Sequence, residues 1–185
     1  VAQAAMNSGV ATLPIENMSA YREKISNLVY QTGFVMKPVF EAAKADLKRV
    51  IYAEGEDERV LQAVQAVSDE KLCLPILIGR PEVIDLRIER AGLRIKIGEH
   101  FDVVNPENDG RFKETWTEYY QIMRRKGVSP DDAKTAVRTS TTLIGAMLVR
   151  RGDADALICG SIGRYQDLLG SYGYLRYFRE LSPGI

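Results

Sequence analysis

The chain contains 185 residues, and its 25 lysines and arginines balance its 25 aspartates and glutamates, so that the formal net charge is zero. This length fits one domain with an appendage, since domains average roughly 150 residues. A pI of about 6.8 gives no excess of positive charge, which disfavours nonspecific binding to nucleic acids or to anionic membranes. With 45% hydrophobic and 27% charged residues, the composition is typical of folded globular proteins and not of disordered ones.

The cysteines and the histidine exclude several kinds of site. Cys73 and Cys159 lie far apart in apolar surroundings, a pattern that makes neither a disulfide framework nor a zinc site. The single histidine, His100, follows Gly98 in a predicted turn before a strand, where we expect a solvated loop side chain. We predict no metal site. No apolar run approaches the roughly 20 residues that span a bilayer, and we expect a soluble, cytoplasmic protein.

The first 46 residues predict helices that bury little surface by themselves. We divide this region into a short segment, residues 1–17, and a helical linker, residues 18–46. Within the linker, Ser19 is predicted to cap a helix that ends at Gly33, and Pro38 is predicted to begin a second helix, because proline is favoured in the first turn. Residues 47–185 then form the domain proper.

Strands and helices alternate from residue 48 onwards. Short apolar runs predict strands at 49–53, 74–78, 93–97, 101–104 and 155–160. The segments between them carry apolar residues at helical spacing, and Ser129 is predicted to cap one such helix. The hydroxyl cluster Thr139–Thr142 is expected to interrupt the helix that follows, since short hydroxyl side chains compete for backbone hydrogen bonds. This alternation predicts an α/β fold of three α/β/α layers around a mainly parallel sheet.

A glycine-containing turn after the last predicted strand is the main candidate site. Gly160 and Gly163 permit close approach of a ligand, Ser161 offers a hydroxyl and Arg164 a guanidinium, which together suit a phosphate group beyond the carboxyl end of a strand. The same pattern is also common in ordinary turns. A second candidate, Glu54–Arg59, carries four acids, which repel phosphate and are typical of a capped helix start. The sequence contains neither a dinucleotide-binding fingerprint nor a Walker A loop.

Three blocks of the chain resemble phosphate acetyltransferases. Residues 48–79 are similar to the family's opening strand, helix and second strand; residues 119–128 to its helix ending in Lys-Gly; and residues 151–160 to its Gly-x-Ala-Asp strand. Residues 1–15 are similar to the end of bacterial malic enzymes. This order resembles the large multidomain family of bacterial NADP-dependent malic enzymes, in which a phosphotransacetylase-like domain follows the oxidoreductase part.

The resemblance implies that this segment contains no catalytic residue. The malic-enzyme residues for NADP and a divalent metal, Mg or Mn, would lie upstream, and the transferase's acid-base serine and aspartate downstream. The family's Asp-x-x-Arg pattern is retained at Asp167 but has Gly170 at the arginine position, so that a charge-assisted contact to phosphate is lost. The resemblance therefore implies binding of acetyl-CoA or phosphate without acetyl transfer. The implied ligand-binding residues are Gly160, Ser161, Gly163, Arg164 and Asp167.

We expect the chain to be a regulatory and oligomerisation domain of an NADP-dependent malic enzyme, whose parent reaction converts malate to pyruvate by oxidative decarboxylation. In this interpretation acetyl-CoA is the small-molecule effector, the protein is a homo-oligomer, and neither nucleic acid nor membrane is a partner. One alternative is part of an active phosphate acetyltransferase, which forms acetyl phosphate and CoA from acetyl-CoA and phosphate. Another alternative is a purely structural module that holds subunits together.

Overall fold

The structure is a computed structural model, which describes residues 31–163 and, before them, positions 6, 8, 9, 15, 17 and 19–21. The chain forms two compact units, residues 1–45 and residues 46–185, and each is described by itself. The predicted division into segments 1–17, 18–46 and 47–185 stays a prediction.

The first unit contains a helix, α1, at Gln31–Ala45. It runs through both Gly33 and Pro38, so the predicted helix end at Gly33 and helix start at Pro38 are wrong. Glycine favours a helix end when it adopts a positive φ, and Gly33 does not. Before α1, the Asn17 carboxamide accepts the backbone N–H groups of Ser19 and Ala20 at 3.0 and 3.1 Å. Asn17, and not Ser19, is therefore the cap at this point. Positions 22–30, which hold the rest of this predicted helix up to α1, lie outside the described residues.

The second unit alternates strands and helices. Its elements in chain order are β1 (Arg49–Tyr52), α2 (Glu58–Glu70), β2 (Leu74–Ile78), α3 (Pro81–Ala91), β3 (Asp102–Val104), α4 (Phe112–Met123), a short 3-10 turn (Arg124–Lys126), α5 (Pro130–Thr139), α6 (Thr141–Arg150) and β4 (Ala156–Ile158). All pairings are parallel, and the strand order is β3-β2-β1-β4. The predicted parallel sheet is confirmed.

Successive residues of the central strands face opposite layers of helices. Ile51 and Ile78 belong to a core formed with α4, α5 and α6, whereas Tyr52 and Leu77 belong to a core formed with α2 and α3. This alternation follows from the two-residue period of a strand. The predicted three-layer α/β/α architecture is therefore confirmed.

The segment 93–97 is not a strand, which corrects one prediction. Gly92 ends α3 in the left-handed conformation, and the backbone N–H of Arg94 donates to the Gln65 side chain of α2 at 2.7 Å. Its apolar character has another cause, because Ile95 is only 2% exposed in the core beneath α2 and α3. His100 lies in the predicted turn, where its half-buried imidazole accepts the Lys96 N–H at 3.2 Å.

The edge strand β4 is fastened to β1 by an arginine and an aspartate. The Arg49 backbone N–H donates to the Asp155 carboxylate at 2.7 Å, and the Arg49 guanidinium contacts the same carboxylate at 3.2 Å and the Gly152 carbonyl at 2.9 Å. These hydrogen bonds hold the pKa of Asp155 below its ordinary value. The contact fixes the entry into β4, and hence the position of the turn that follows it.

Candidate functional site

A cleft of about 510 Å³ lies at the carboxyl ends of the strands, where parallel α/β sheets bind ligands. Its walls come from the loops after β1, β2 and β3, from the α5–α6 junction and from the turn after β4. The lining residues are Ala53–Asp57, Ile78–Arg80, Pro106, Glu107, Arg138–Thr142, Ile162 and Gly163. The cavity has the size of a small-molecule site.

The loop after β1 packs closely on β2. The Gly55 N–H donates to the Ile78 carbonyl at 3.1 Å, and a Cβ on Gly55 would lie 2.8 Å from that oxygen and 2.8 Å from the Leu77 Cβ. No other residue fits without displacing the loop. The next side chain of the loop, Glu56, is thereby directed toward the loop after β2.

Glu56 is neutralised by arginines. The Arg80 backbone N–H and guanidinium donate to its two carboxylate oxygens at 2.9 to 3.0 Å, and Arg87 donates to its main-chain carbonyl. The hydrogen bonds from the Arg80 side chain are the main reason that the pKa of Glu56 lies below its ordinary value. Glu56 therefore stays ionised and is a weak base.

Asp57, through Arg59, connects the amino end of α2 to the turn after β4. Its carboxylate caps α2 by accepting the Arg59 N–H at 2.8 Å and binds the Arg59 guanidinium at 2.9 Å, while that guanidinium also donates to the Ser161 carbonyl at 2.8 Å. Arg59 lowers the pKa of Asp57 by these bonds. The interpretation of Glu54–Arg59 as a capped helix start is confirmed, with Asp57 as the cap.

The predicted ligand-binding residues are only partly brought to the cleft. Gly163 lines it with φ +100°. Gly160 donates its N–H to the Glu54 carboxylate at 2.8 Å, and Ser161 is bound through its carbonyl as described above, so that both hold the wall together. Arg164 and Asp167, like Gly170, lie outside the described residues. A ligand role for this set stays a prediction.

Sequence reasoning missed the opposite wall of the cleft. The hydroxyl cluster Thr139–Thr142 does interrupt the helix as predicted, with α5 ending at Thr139 and α6 beginning at Thr141. The Ser140 side chain caps α6 by accepting the Leu143 N–H at 3.2 Å. The amino end of α6, together with Arg138, therefore faces the cleft. The signal was present in the sequence, since a hydroxyl cluster that begins a helix also presents free donors.

Both hydrogen-bond donors and acids line the described cleft. Its donors are the amino end of α6, hydroxyl groups and two arginines, and two of its four acids are already paired with arginine. No group of three or more His, Cys, Asp or Glu able to hold a metal ion occurs within the described residues. Among these residues there is also no helix with the length and apolar character needed to cross a membrane.

Sequence comparisons relate this chain both to a transferase family and to malic enzymes. The phosphate acetyl/butaryl transferase family matches residues 34–173. The NADP-dependent malic enzyme of Salmonella typhimurium is 53% identical over 167 residues, which cover 90% of this chain and 22% of that enzyme. The NAD-dependent malic enzyme of Rhizobium meliloti is 55% identical over 183 residues, which cover 98% of this chain and 23% of that enzyme.

A solved structure agrees with the architecture. The EutD phosphotransacetylase from Staphylococcus aureus aligns with a TM-score of 0.64 at 22% identity, over 81% of this chain and 44% of that one. At this identity the match supports the α/β fold alone. The chain thus spans less than a quarter of the length of the malic enzymes that it matches.

Proposed function

We propose a function for this chain on the basis of its family. It belongs to the phosphate acetyl/butaryl transferase family. With the malic-enzyme matches, this membership identifies it as an acetyltransferase-like segment of the kind found in malic enzymes, and confirms the predicted resemblance. Its proposed role is regulatory: it binds acetyl-CoA in the cleft, transfers no acetyl group, and holds subunits of a homo-oligomeric malic enzyme together.

The observation that carries the binding proposal is the cleft itself. It lies at the carboxyl ends of parallel strands and joins an arginine to the amino end of a helix, a combination that favours an anionic ligand. Acetyl-CoA is the anionic ligand that the resemblance to phosphate acetyltransferases implies.

The proposed lack of turnover rests on Gly170 at the family's arginine position, and two of the cleft's four acids give it further support. Arginine hydrogen bonds keep the pKa values of Glu56 and Asp57 below their ordinary values, and a carboxylate of low pKa is a poor general base at neutral pH. Both carboxylates are also occupied as acceptors of arginine donors. They therefore serve to shape the cleft.

For the whole protein we propose oxidative decarboxylation of malate to pyruvate, with NADP and a Mg or Mn ion as cofactors. The described residues of this chain do not fit either group, since they contain no metal-ligand cluster and the sequence lacks a dinucleotide fingerprint. Neither nucleic acid nor membrane is a proposed partner, and the proposed location is the cytoplasm.

The decisive experiment uses the full-length protein. Acetyl-CoA binding is measured by calorimetry, thiol release is followed with phosphate present, and the rate of malate oxidation is recorded with and without acetyl-CoA. We expect saturable binding, no thiol release and an altered malate rate. Phosphate-dependent thiol release would instead establish an active acetyltransferase, and absence of binding would establish a purely structural module.

A matched pair of variants ties binding to this cleft. Ile162 and Ile158 are almost equally exposed, at 53% and 52%, but only Ile162 lines the cleft. Ile162→Glu should weaken acetyl-CoA binding by adding a negative charge beside an anionic ligand, whereas Ile158→Glu should not. Equal affinities of the two variants for acetyl-CoA would show that it binds outside this cleft. Light scattering of the same samples tests the proposed homo-oligomer.

A further inference from the structure

Thr142 differs from the other helical threonines with described contacts. The hydroxyls of Thr115, Thr117 and Thr139 each donate to the carbonyl four residues earlier, at 2.9, 2.6 and 2.9 Å. Thr142 lies in the first turn of α6, and the carbonyl four residues before it belongs to Arg138 of α5 and not to its own helix. Its hydroxyl makes no hydrogen bond within the described part of the chain.

Burial makes this lack of a partner significant. Thr115 and Thr142 are the buried polar residues of the described structure, at 5% and 6% exposed, and the hydroxyl of Thr115 is satisfied by Arg111. The Thr142 hydroxyl oxygen is not among the fully buried side-chain atoms that lack a partner in the described structure, so it reaches the surface of the cleft and is not sealed in the core. Thr142 lines the cleft, so a ligand in the cleft can supply the missing partner.

The backbone around Thr142 offers donors as well. Ser140 caps only the N–H of Leu143, and the N–H groups of Thr141 and Thr142 have no acceptor among the described residues. These two N–H groups carry the positive end of a ten-residue helix. Together with the Thr142 hydroxyl, they form three donors at one place in the wall of the cleft.

Arg138 adds a full positive charge to the same wall. Its guanidinium stacks on the Phe112 ring, 4.7 Å from the centroid, and makes no ion pair in the part of the chain that the structure describes. By contrast, Arg80, the other arginine of the cleft, is engaged by Glu56 through two hydrogen bonds. Stacking orients a guanidinium while leaving its N–H donors free for an anion.

We propose that the first turn of α6, the Thr142 hydroxyl and the Arg138 guanidinium form a binding subsite for a phosphate group of the cleft's ligand. The ligand's identity as acetyl-CoA rests on the proposed function, whereas the subsite rests on the residues named here. The subsite accepts a phosphate group because helix N–H groups, a hydroxyl and a guanidinium are all donors to oxyanions.

The test uses the full-length protein with two probes, acetyl-CoA and inorganic phosphate. Acetyl-CoA affinity is measured by calorimetry, and phosphate binding by broadening of its ³¹P resonance. The variants are Thr142→Val, which keeps the side-chain shape, and Arg138→Gln. Their controls are Thr115→Val, the other buried threonine, and Lys134→Gln, a cation stacked on Trp116 at 5.1 Å one turn earlier in the same helix.

We expect each cleft variant to lower the affinity for both probes about tenfold, as for the loss of a hydrogen bond to a charged group, and the controls to bind as the parent protein does. Thr142→Val should unfold at about the same urea concentration as the parent, because the lost hydroxyl makes no hydrogen bond within the described part of the chain. A loss of affinity is then a loss of the subsite and not of folding.

The outcomes separate the two proposals. If the parent protein binds acetyl-CoA and both cleft variants bind it equally well, the subsite is overturned and the proposed function stands. If acetyl-CoA does not bind but the variants abolish phosphate binding, the proposed function fails and the subsite stands. If the parent binds neither probe, both are overturned.

Discussion

Individual arginines determine which charges of the cleft remain available. Arg59 and Arg80 are each bound to a carboxylate of the loop after β1, while Arg138 rests on an aromatic ring. The cleft is therefore lined by four acids and two arginines, yet its free positive charge is concentrated beside the hydroxyl cluster. Counting the charges in a stretch of sequence does not show this distribution, because the partners come from different loops.

At Gly55 the loop after β1 packs so closely on β2 that there is no room for a side chain. Gly55→Ala would bring a methyl group to 2.8 Å from the Ile78 carbonyl oxygen, and we expect a loss of about 1–3 kcal/mol in the free energy of unfolding, as in other overpacked sites. Urea denaturation measures it. Gly110→Ala is the control, because its methyl group would meet nothing within 4 Å; equal losses in the two variants would contradict the contact.

Tyr52 makes stability depend on alkaline pH. It is 7% exposed, and burial, followed by its interaction with Cys73, raises its pKa from 10.0 to about 12. Because the folded pKa is the higher one, its contribution is fully present below pH 10 and is lost as the pH rises toward 12. A shift of two units corresponds to about 3 kcal/mol.

The measurement compares urea midpoints at pH 9 and pH 11.5. The parent protein should lose more stability over this interval than Tyr52→Phe, which has no phenol to ionise at that position. Tyr120→Phe, at a half-buried tyrosine of α4, should behave as the parent does. A parent and a Tyr52→Phe variant with the same pH dependence would show that Tyr52 ionises equally easily in the folded and unfolded chains.

Among the elements, α5 is defined by local signals that could be read from the sequence. The Ser129 hydroxyl accepts the Asp132 N–H at 3.1 Å, and the Asp132 carboxylate accepts the Ser129 N–H at 3.1 Å. The bonds from Ser129 keep the pKa of Asp132 below its ordinary value. The helix ends at Thr139, and Ser140 caps the next helix, α6.

Ser129→Ala should therefore destabilise the protein by about 1 kcal/mol, the usual cost of losing a capping side chain. Urea denaturation at pH 7 gives the value. Thr135→Ala, at an exposed position of the same helix, should leave stability unchanged or raise it slightly because alanine favours helices. A Ser129→Ala variant as stable as the parent would mean that the cap contributes nothing.

The elements that sequence reasoning missed lack such local signals. The run 93–97 alternates apolar and charged residues as a strand does, but only Ile95 of it is buried, beneath α2 and α3, while the backbone of Arg94 bonds to a side chain of α2. In α1, neither a glycine nor a proline ended the helix, because both residues adopt helical backbone geometry within Gln31–Ala45. Apolar content and helix breakers are weak evidence when the deciding contacts are distant in sequence.

Only the part of the candidate site that has a local signal could be predicted from the sequence. The turn containing Gly163 could be found because it directly follows a strand, and parallel strands present such turns to ligands. Arg138 and Thr142 could not be grouped with it, since they meet Gly163 only through the packing of α5 and α6 on the sheet. A site assembled from five separate stretches of chain is visible only once the sheet order is known.

At the scale of the whole molecule, the sheet order dictates an order of folding. β1 pairs with β2 across 21 intervening residues but with β4 across 103, which costs about 1.4 kcal/mol more in loop-closure free energy. Contacts that close longer loops form later. We expect β1, β2 and their helices to assemble first, with β4 docking last through Arg49 and Asp155. Since β4 brings the turn of Gly160 and Gly163, the binding cleft would be the last feature of this unit to form and the first to be lost when the protein begins to unfold.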